Sequence, residues 1–192
     1  LKEIVQPRLK SAFGRDVVME EVDWGVSDGV VVKGLKVKDK SGSGALVEAE
    51  RAQVDVSPGT LFGAEGKLGE LVLEEAVVWI VVDKDGNVNA ADVLGGMQLP
   101  VDRVRMVNST LRVENQKSGR ITVVDDINGR VRGSKREGAI VLDTDLVIGE
   151  VVIKKDTAGL RNLHLAGQMT LFDGYLKADD VKVGVGPFAV QV

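Results

Sequence analysis

The stretch VVDKDGNVNAADVLGG (residues 81–96) gathers Asp83, Asp85, Asn87 and Asn89 around Gly86, the kind of oxygen donors from which calcium loops are made. A helix-loop-helix calcium loop needs glycine sixth, for a sharp turn, and glutamate twelfth, to close the cage. Gly86 is fourth from Asp83 and no glutamate follows, so the stretch reads as a turn. His164 is the only histidine, on the polar side of NLHLA with Asn162. A metal site needs further ligands and a triad needs a nucleophile, so a surface histidine is the reading. SGSG (41–44) lacks the lysine of a phosphate loop, and GVGPF (184–188) has no helix after it, as a dinucleotide fingerprint requires. Asp125, Asp126, Asp143 and Asp145 have no evident pocket, and the sequon Asn108–Thr110 is a pattern common by chance. No catalytic constellation, metal set or cofactor motif emerges, and the expectation is a non-enzymatic protein.

Something other than a catalytic centre must therefore explain the chain, and its composition narrows the choice. Its 192 residues can bury a sizeable core, and 44% hydrophobic against 28% charged residues excludes a disordered chain. The 25 basic and 29 acidic residues are interspersed, giving a net charge of −4 and no concentrated basic surface for nucleic acid. There is no cysteine, hence no disulfide or thiolate chemistry. No run of about 18 apolar residues is present to span a bilayer. Because the chain starts at Leu1, it is read as a piece whose upstream signal or anchor lies outside it.

Valine-rich alternation and 23 glycines predict a mainly β chain. VKGLKVKDK sets Leu35 and Val37 on one face and Lys36 and Lys38 on the other. Leu163 and Leu165, Met169 and Leu171, and Val181, Val183 and Val185 repeat the habit. A helix is expected within residues 1–14, starting near Gln6 with Pro7 in its first turn and stopping at Gly14. A single helical turn is expected near residues 89–96.

An internal repeat organises the middle of the chain. At an offset of 33 residues, Leu71 meets Val104, Leu73 meets Met106, Val78 meets Leu111, Ile80 meets Val113, and Gly86 meets Gly119. Read as hairpins with two-residue loops at Glu75-Ala76 and Asn108-Ser109, each unit pairs Leu73 with Val78 and Leu71 with Ile80, or Met106 with Leu111 and Val104 with Val113. Cross-strand partners share a face, so all eight side chains fall on one side of one sheet. Asp173-Gly174 is a further two-residue turn, pairing Leu171 with Leu176. The repeat units lie near 68–88 and 101–121, and the sides of residues 121–124 stay undecided.

An apolar face needs a cover: a second sheet, closure into a barrel, or something else lying in an open trough. Few aromatics (4%) make this face smooth and aliphatic, suited to acyl chains at about 0.8 kcal/mol per buried methylene. The lining would be Leu71, Leu73, Val78, Ile80, Val104, Met106, Leu111 and Val113, continued by Leu163, Leu165, Met169 and Leu171. An ordinary filled core fits the same residues. On the other face Val77, Trp79 and Val81 stand where the second unit has Thr110, Arg112 and Glu114, so the first unit needs an outer cover. The N-terminal helix or the turn around 91–94 is expected to provide it, with Trp79 as core.

These segments also carry a resemblance. LGELVLEEAVVWIVVDKDGNVNAADVL followed by LPVDRVRMVNSTLRVENQKSGRI resembles the AsmA-like family of bacterial envelope proteins. That family has a strand pair, a charged turn ending in Gly-x-x-Asn (here Gly86 and Asn89), a helical turn, and a second strand pair. LKEIVQPRLKSAFGRDVVMEEVDW is similar to the family's start, AERAQVDVSPGTLFG to its next strand (Val54, Val56), and the C-terminal hairpins to its later ones. The resemblance spans nearly the whole chain through structural motifs and brings no catalytic residue. It implies one module over residues 1–192: a helix at 1–14, then an open, strongly twisted antiparallel sheet, a β-groove of hairpin repeats. It further implies a periplasmic protein held to the inner membrane by an upstream helix, binding phospholipid acyl chains and serving transport between inner and outer membranes. Further groove modules would meet it edge to edge. The alternative is a structural or assembly β-domain whose apolar face is filled by its own chain or by a partner at an open edge.

Overall fold

The computed structural model describes residues 1–25, 29–42, 44–55, 68–90, 101–136, 139–154, 158–172, 175–185 and 188–191. One helix, α1 (Lys2–Phe13), precedes eleven strands: β1 (Val17–Val18), β2 (Glu21–Gly25), β3 (Gly29–Lys38), β4 (Ala45–Val54), β5 (Leu68–Val82), β6 (Val101–Asn115), β7 (Arg120–Arg136), β8 (Ala139–Ile153), β9 (Ala158–Phe172), β10 (Tyr175–Val185) and β11 (Phe188–Gln191). All belong to one open sheet of order β1-β3-β4-β5-β6-β7-β8-β9-β10-β11, with β2 also pairing β3. The mainly β architecture with an N-terminal helix is thus the one its alternation predicts. Among the described residues no helix is long and apolar enough to cross a membrane.

Helix α1 starts four residues earlier than the sequence reading put it, at Lys2, with Pro7 inside. Proline removes only the N–H that would bond Glu3. The first turn closes ahead of it, Leu1 carbonyl accepting from the amides of Ile4 and Val5. Val5 and Leu9, one turn apart, are buried, which offsets the lost bond. Gly14 ends the helix in the left-handed conformation (φ 60°), its N–H bonding the Lys10 carbonyl.

The repeat takes a different form from hairpins. β5 and β6 are each continuous, and they lie side by side in parallel, Leu71 opposite Val104, Leu73 opposite Met106, Val78 opposite Leu111 and Ile80 opposite Val113. The repeat offset is therefore the register of a parallel ladder, and the expected hairpin loops at Glu75-Ala76 and Asn108-Ser109 do not exist. A two-residue turn of type I′ needs positive φ at both central residues. Only Glu75 (φ 51°) and Asn108 (φ 47°) have it. One left-handed residue kinks a strand without reversing it.

That kink recurs across the sheet. Gly34, Glu75, Asn108, Asp126 and Asn162 all have left-handed φ, one each in β3, β5, β6, β7 and β9. The flanking registers set Gly34 opposite Glu50, Glu50 opposite Glu75, Glu75 beside Asn108, Asp126 opposite Gly149, and Gly149 opposite Asn162. The result is a crease where every pleat reverses, so inward positions run Val30, Val32, then Leu35, Val37. Gly149 is glycine because a Cβ there would lie 2.7 Å from Asp126 Cβ. Freed backbone groups find side chains: Asn108 N–H donates to Asn128 Oδ1, and Asn128 Nδ2 donates to Asp126 Oδ1. Beside the crease runs a row of successive strand neighbours, Leu35, Ala49, Ala76, Ser109, Ile127, Ile148 and Leu163, each no more than 8% exposed. Ser109 is held within it by donating to the Val107 carbonyl and accepting from Ala76 N–H.

Residues 83–100 connect the parallel strands. Asp83 is the pivot of the turn: its carboxylate accepts from the amides of Asp85 and Asn87 and from Asn87 Nδ2. These bonds, the Asn87 side chain first, hold its carboxyl below the ordinary range. DKDGN is therefore a turn, and among the described residues no cluster of three or more potential metal ligands occurs. Asn89 then lies along the end of β5, where β4 has stopped pairing. Its Oδ1 accepts from Val81 N–H, its Nδ2 donates to the Trp79 carbonyl, and its N–H donates to the Val81 carbonyl. Buried Arg15, just past the helix cap, donates to the Asn89 carbonyl and ties the N-terminal segment to this connection. The helical turn expected at 89–96 and Val56 lie largely or wholly outside the described residues, as does the loop Asp173-Gly174. The pairing Phe172–Tyr175 and Leu171–Leu176 around that loop is as expected.

Candidate functional site

The reversal of pleat at the crease keeps Leu71, Leu73, Val78 and Ile80, and their neighbours Val104, Met106, Leu111 and Val113, on one face. A hairpin would have had the same effect with other partners. That face is not uniform. Over β3–β5 it forms a core of Val30, Val32, Leu35, Val37, Ala49, Ala52 and Val54 with Leu71, Leu73 and Ala76, which also takes in Val5 and Leu9 of α1 and Val17 and Met19. Phe13 and Val104 pack against it. The helix thus lies on the Leu71/Leu73 side. The expectation that the helix or the turn around 91–94 covers the outer face of Val77, Trp79 and Val81 is corrected for the helix, while 91–94 lie outside the described residues. Those three side chains are half-buried, and none belongs to that core. On the inner face the helix finds the aliphatic side chains of three strands, Val30, Val32, Leu35, Val37, Val54, Leu71 and Leu73, against which Val5 and Leu9 bury.

Beyond Val104 the face belongs to a second cluster, Ile127, Ile148 and Leu163, with Met106, Leu111, Val124, Leu146, Val151 and Val183 partly buried around it. Among the described residues, none of α1 contributes to this cluster, and its side chains come from β6–β10.

The residues expected to line a trough therefore divide. Leu71 and Leu73 are buried in the helix-covered core, and Val104 packs against it. Val78, Ile80 and Val113 are half-buried further along the same strands. Met106, Leu111 and Leu163 meet in the second cluster. Half-buried Leu165 stands opposite Leu146 and Val183, and half-buried Met169 opposite Leu142. Leu171 pairs with Ile140 through its backbone, and its side chain lies outside the described residues.

Sequence reasoning missed Ile127, because the kink at Asp126 breaks the alternation of VVDDINGRV, and Leu146, Ile148 and Val151, because the crease at Gly149 breaks that of DLVIGEVV. The register resolves the undecided pair: Val124 lies opposite Leu111 on the apolar face, and Val123 opposite Arg112 on the polar one.

The opposite face is charged. Asp145 accepts a 2.8 Å hydrogen bond with exposed His164, Asp143 accepts from Gln168 Nε2, and Thr110 donates to Asp125. Asp145 also lines a cleft with Arg105 and Arg130, where the sequence offered no pocket. The signal that could have found it is the tripeptide Arg-Val-Arg, which occurs at 103–105 and again at 130–132. No protein-family model matches the chain, and no curated protein matches it.

Proposed function

We propose that the chain is a non-enzymatic lipid-binding module whose apolar face seats phospholipid acyl chains from Met106 onward. One observation carries this reading: the aliphatic face continues from β5 into β6–β10, yet α1 shares only its first part. A mainly aliphatic face that α1 does not cover gains from each methylene it shields and offers few polar groups to select a headgroup. The resemblance to the AsmA-like family supports the setting. In it the module belongs to a periplasm-facing protein anchored at the inner membrane and engaged in phospholipid transport and outer-membrane maintenance. Leu71 and Leu73, beneath the helix-covered core, form the closed end of the groove rather than its lining.

Native mass spectrometry of the chain incubated with a phospholipid, followed by extraction, tests this. Bound phospholipid that disappears in a folded Leu111→Asp variant is the expected result, since the new carboxylate lies among apolar neighbours. The open sheet, with unclosed edges at β2 and β11, favours a second reading as an assembly domain. Concentration-dependent association with no lipid bound would replace the first reading with that one.

A further inference from the structure

The polar face carries an arrangement that its own neighbours leave unbalanced. Arg103 lies directly opposite Arg132, and Arg105 directly opposite Arg130, on adjacent antiparallel strands. Four guanidinium groups thus occupy a two-by-two block on one face, and like charges directly opposite are destabilising unless something between them is negative. The protein supplies little. Glu70 of β5 reaches both inner arginines, at 3.8 Å from Arg105 Nε and 3.7 Å from Arg130 Nε, beyond hydrogen-bonding distance in each case. Arg105 Nε is buried and has no hydrogen-bond partner. The two carboxylates that the register sets beside the block, Asp145 opposite Arg130 and Asp143 opposite Arg132, hydrogen-bond the other way, to His164 and Gln168 of β9. Between the inner arginines opens a cleft of about 300 Å³ whose walls include Asn128, Gly129 and Asp145.

We infer that this cleft, with Arg105 and Arg130 at its walls and Arg103 and Arg132 beside it, is a binding site for a phosphate ester. Guanidinium forks on neighbouring strands present planar pairs of N–H donors that match phosphate oxygens, and a tetrahedral dianion can accept from more than one fork at once. A phosphate there answers the opposed like charges of the block. Met106 and Val107 complete the lining of the cleft, and its arginines lie on the face opposite Leu111, so phosphate binding read at the arginines is tested separately from acyl-chain binding read with Leu111→Asp. The phosphate could belong to a lipid headgroup or to a soluble compound.

The experiment titrates the full chain with inorganic phosphate at low ionic strength, with chloride as control, measuring affinity by calorimetry and following backbone amide and arginine Nε–H resonances of β6 and β7. Saturable shifts at Arg105 and Arg130 are expected. Affinity should fall at least tenfold in Arg105→Gln/Arg130→Gln and also fall in Arg103→Gln/Arg132→Gln, whose exposed positions make misfolding no explanation. Asp145→Asn should tighten binding by removing a competing anion. Flotation with vesicles of phosphatidylglycerol and phosphatidylcholine, against phosphatidylcholine alone, separates the sources. Arginine-dependent flotation with the anionic vesicles assigns a headgroup, and phosphate shifts without flotation assign a soluble ester. Absence of phosphate shifts, or shifts that persist in both arginine pairs' variants, overturns the site.

Discussion

The row beside the crease differs between the two halves of the sheet. Across β4–β6 it is built of small side chains, Ala49, Ala76 and Ser109, flanked on β3 by Leu35. Over β7–β9 it is built of Ile127, Ile148 and Leu163, yet all seven are nearly inaccessible. Burial is reached in two ways. In the first half a second layer, the helix α1 through Val5 and Leu9, packs on the sheet, and the small Ala49 and Ala76 leave room for it. In the second half long side chains shield one another along a single layer, which leaves their outer neighbours, such as Leu111 and Leu146, half-exposed. The same sheet is thus a core at one end and a surface at the other.

The largest expected effect breaks this contrast if it is wrong. Val32 is fully buried, and Val32→Asp places an unpaired carboxylate where no water reaches. Urea unfolding should show no folded baseline for it. Leu111→Asp, at the half-buried position, should cost about 1–2 kcal/mol and stay folded. Equal losses would mean that the second half is as closed as the first.

Asn89→Ala comes next. It removes two side-chain bonds to the end of β5 and should cost about 1–3 kcal/mol, with faster amide exchange at Val81 as the local readout. Exchange unchanged at Val81 would mean that this strand end is protected by something else.

The smallest effect concerns the crease. Glutamate adopts left-handed φ reluctantly and asparagine more readily. Glu75→Gly should therefore stabilise by about 0.5–1 kcal/mol, and Asn162→Gly by less. The reverse order would show that the crease is held by the side chain of Glu75 rather than tolerated by it.

The sequence was legible where the pleat is regular. The alternation of VKGLKVKDK sets Leu35 and Val37 on one face and both are buried, Gly14 stops the helix, and the 33-residue offset is the register of the parallel ladder. It was illegible where a single left-handed residue intervenes. A kink and a hairpin both keep Leu73 and Val78 on one face, so periodicity alone does not separate them. Asp126 likewise hid Ile127. The helix's choice of face depends on the apolar area available in three dimensions, which a one-dimensional pattern does not contain. The arginine block needed the β6–β7 register, although both Arg-Val-Arg tripeptides were in plain sight.

The parallel seam between β5 and β6 divides the chain by how far apart in sequence its neighbours are. From β6 onward each strand meets the next through a connection of a few residues, 116–119, 137–138, 154–157, 173–174 and 186–187. Closing such loops is quick, and these strands can zip one after another. Before the seam, β4 reaches β5 only across 55–67, and β6 reaches β5 only across 83–100. Those closures cost more chain entropy before any contact rewards them. The half from β6 onward can therefore assemble by short closures throughout, whereas the half under the helix is completed by the longer closure over 55–67 that brings β5 to β4.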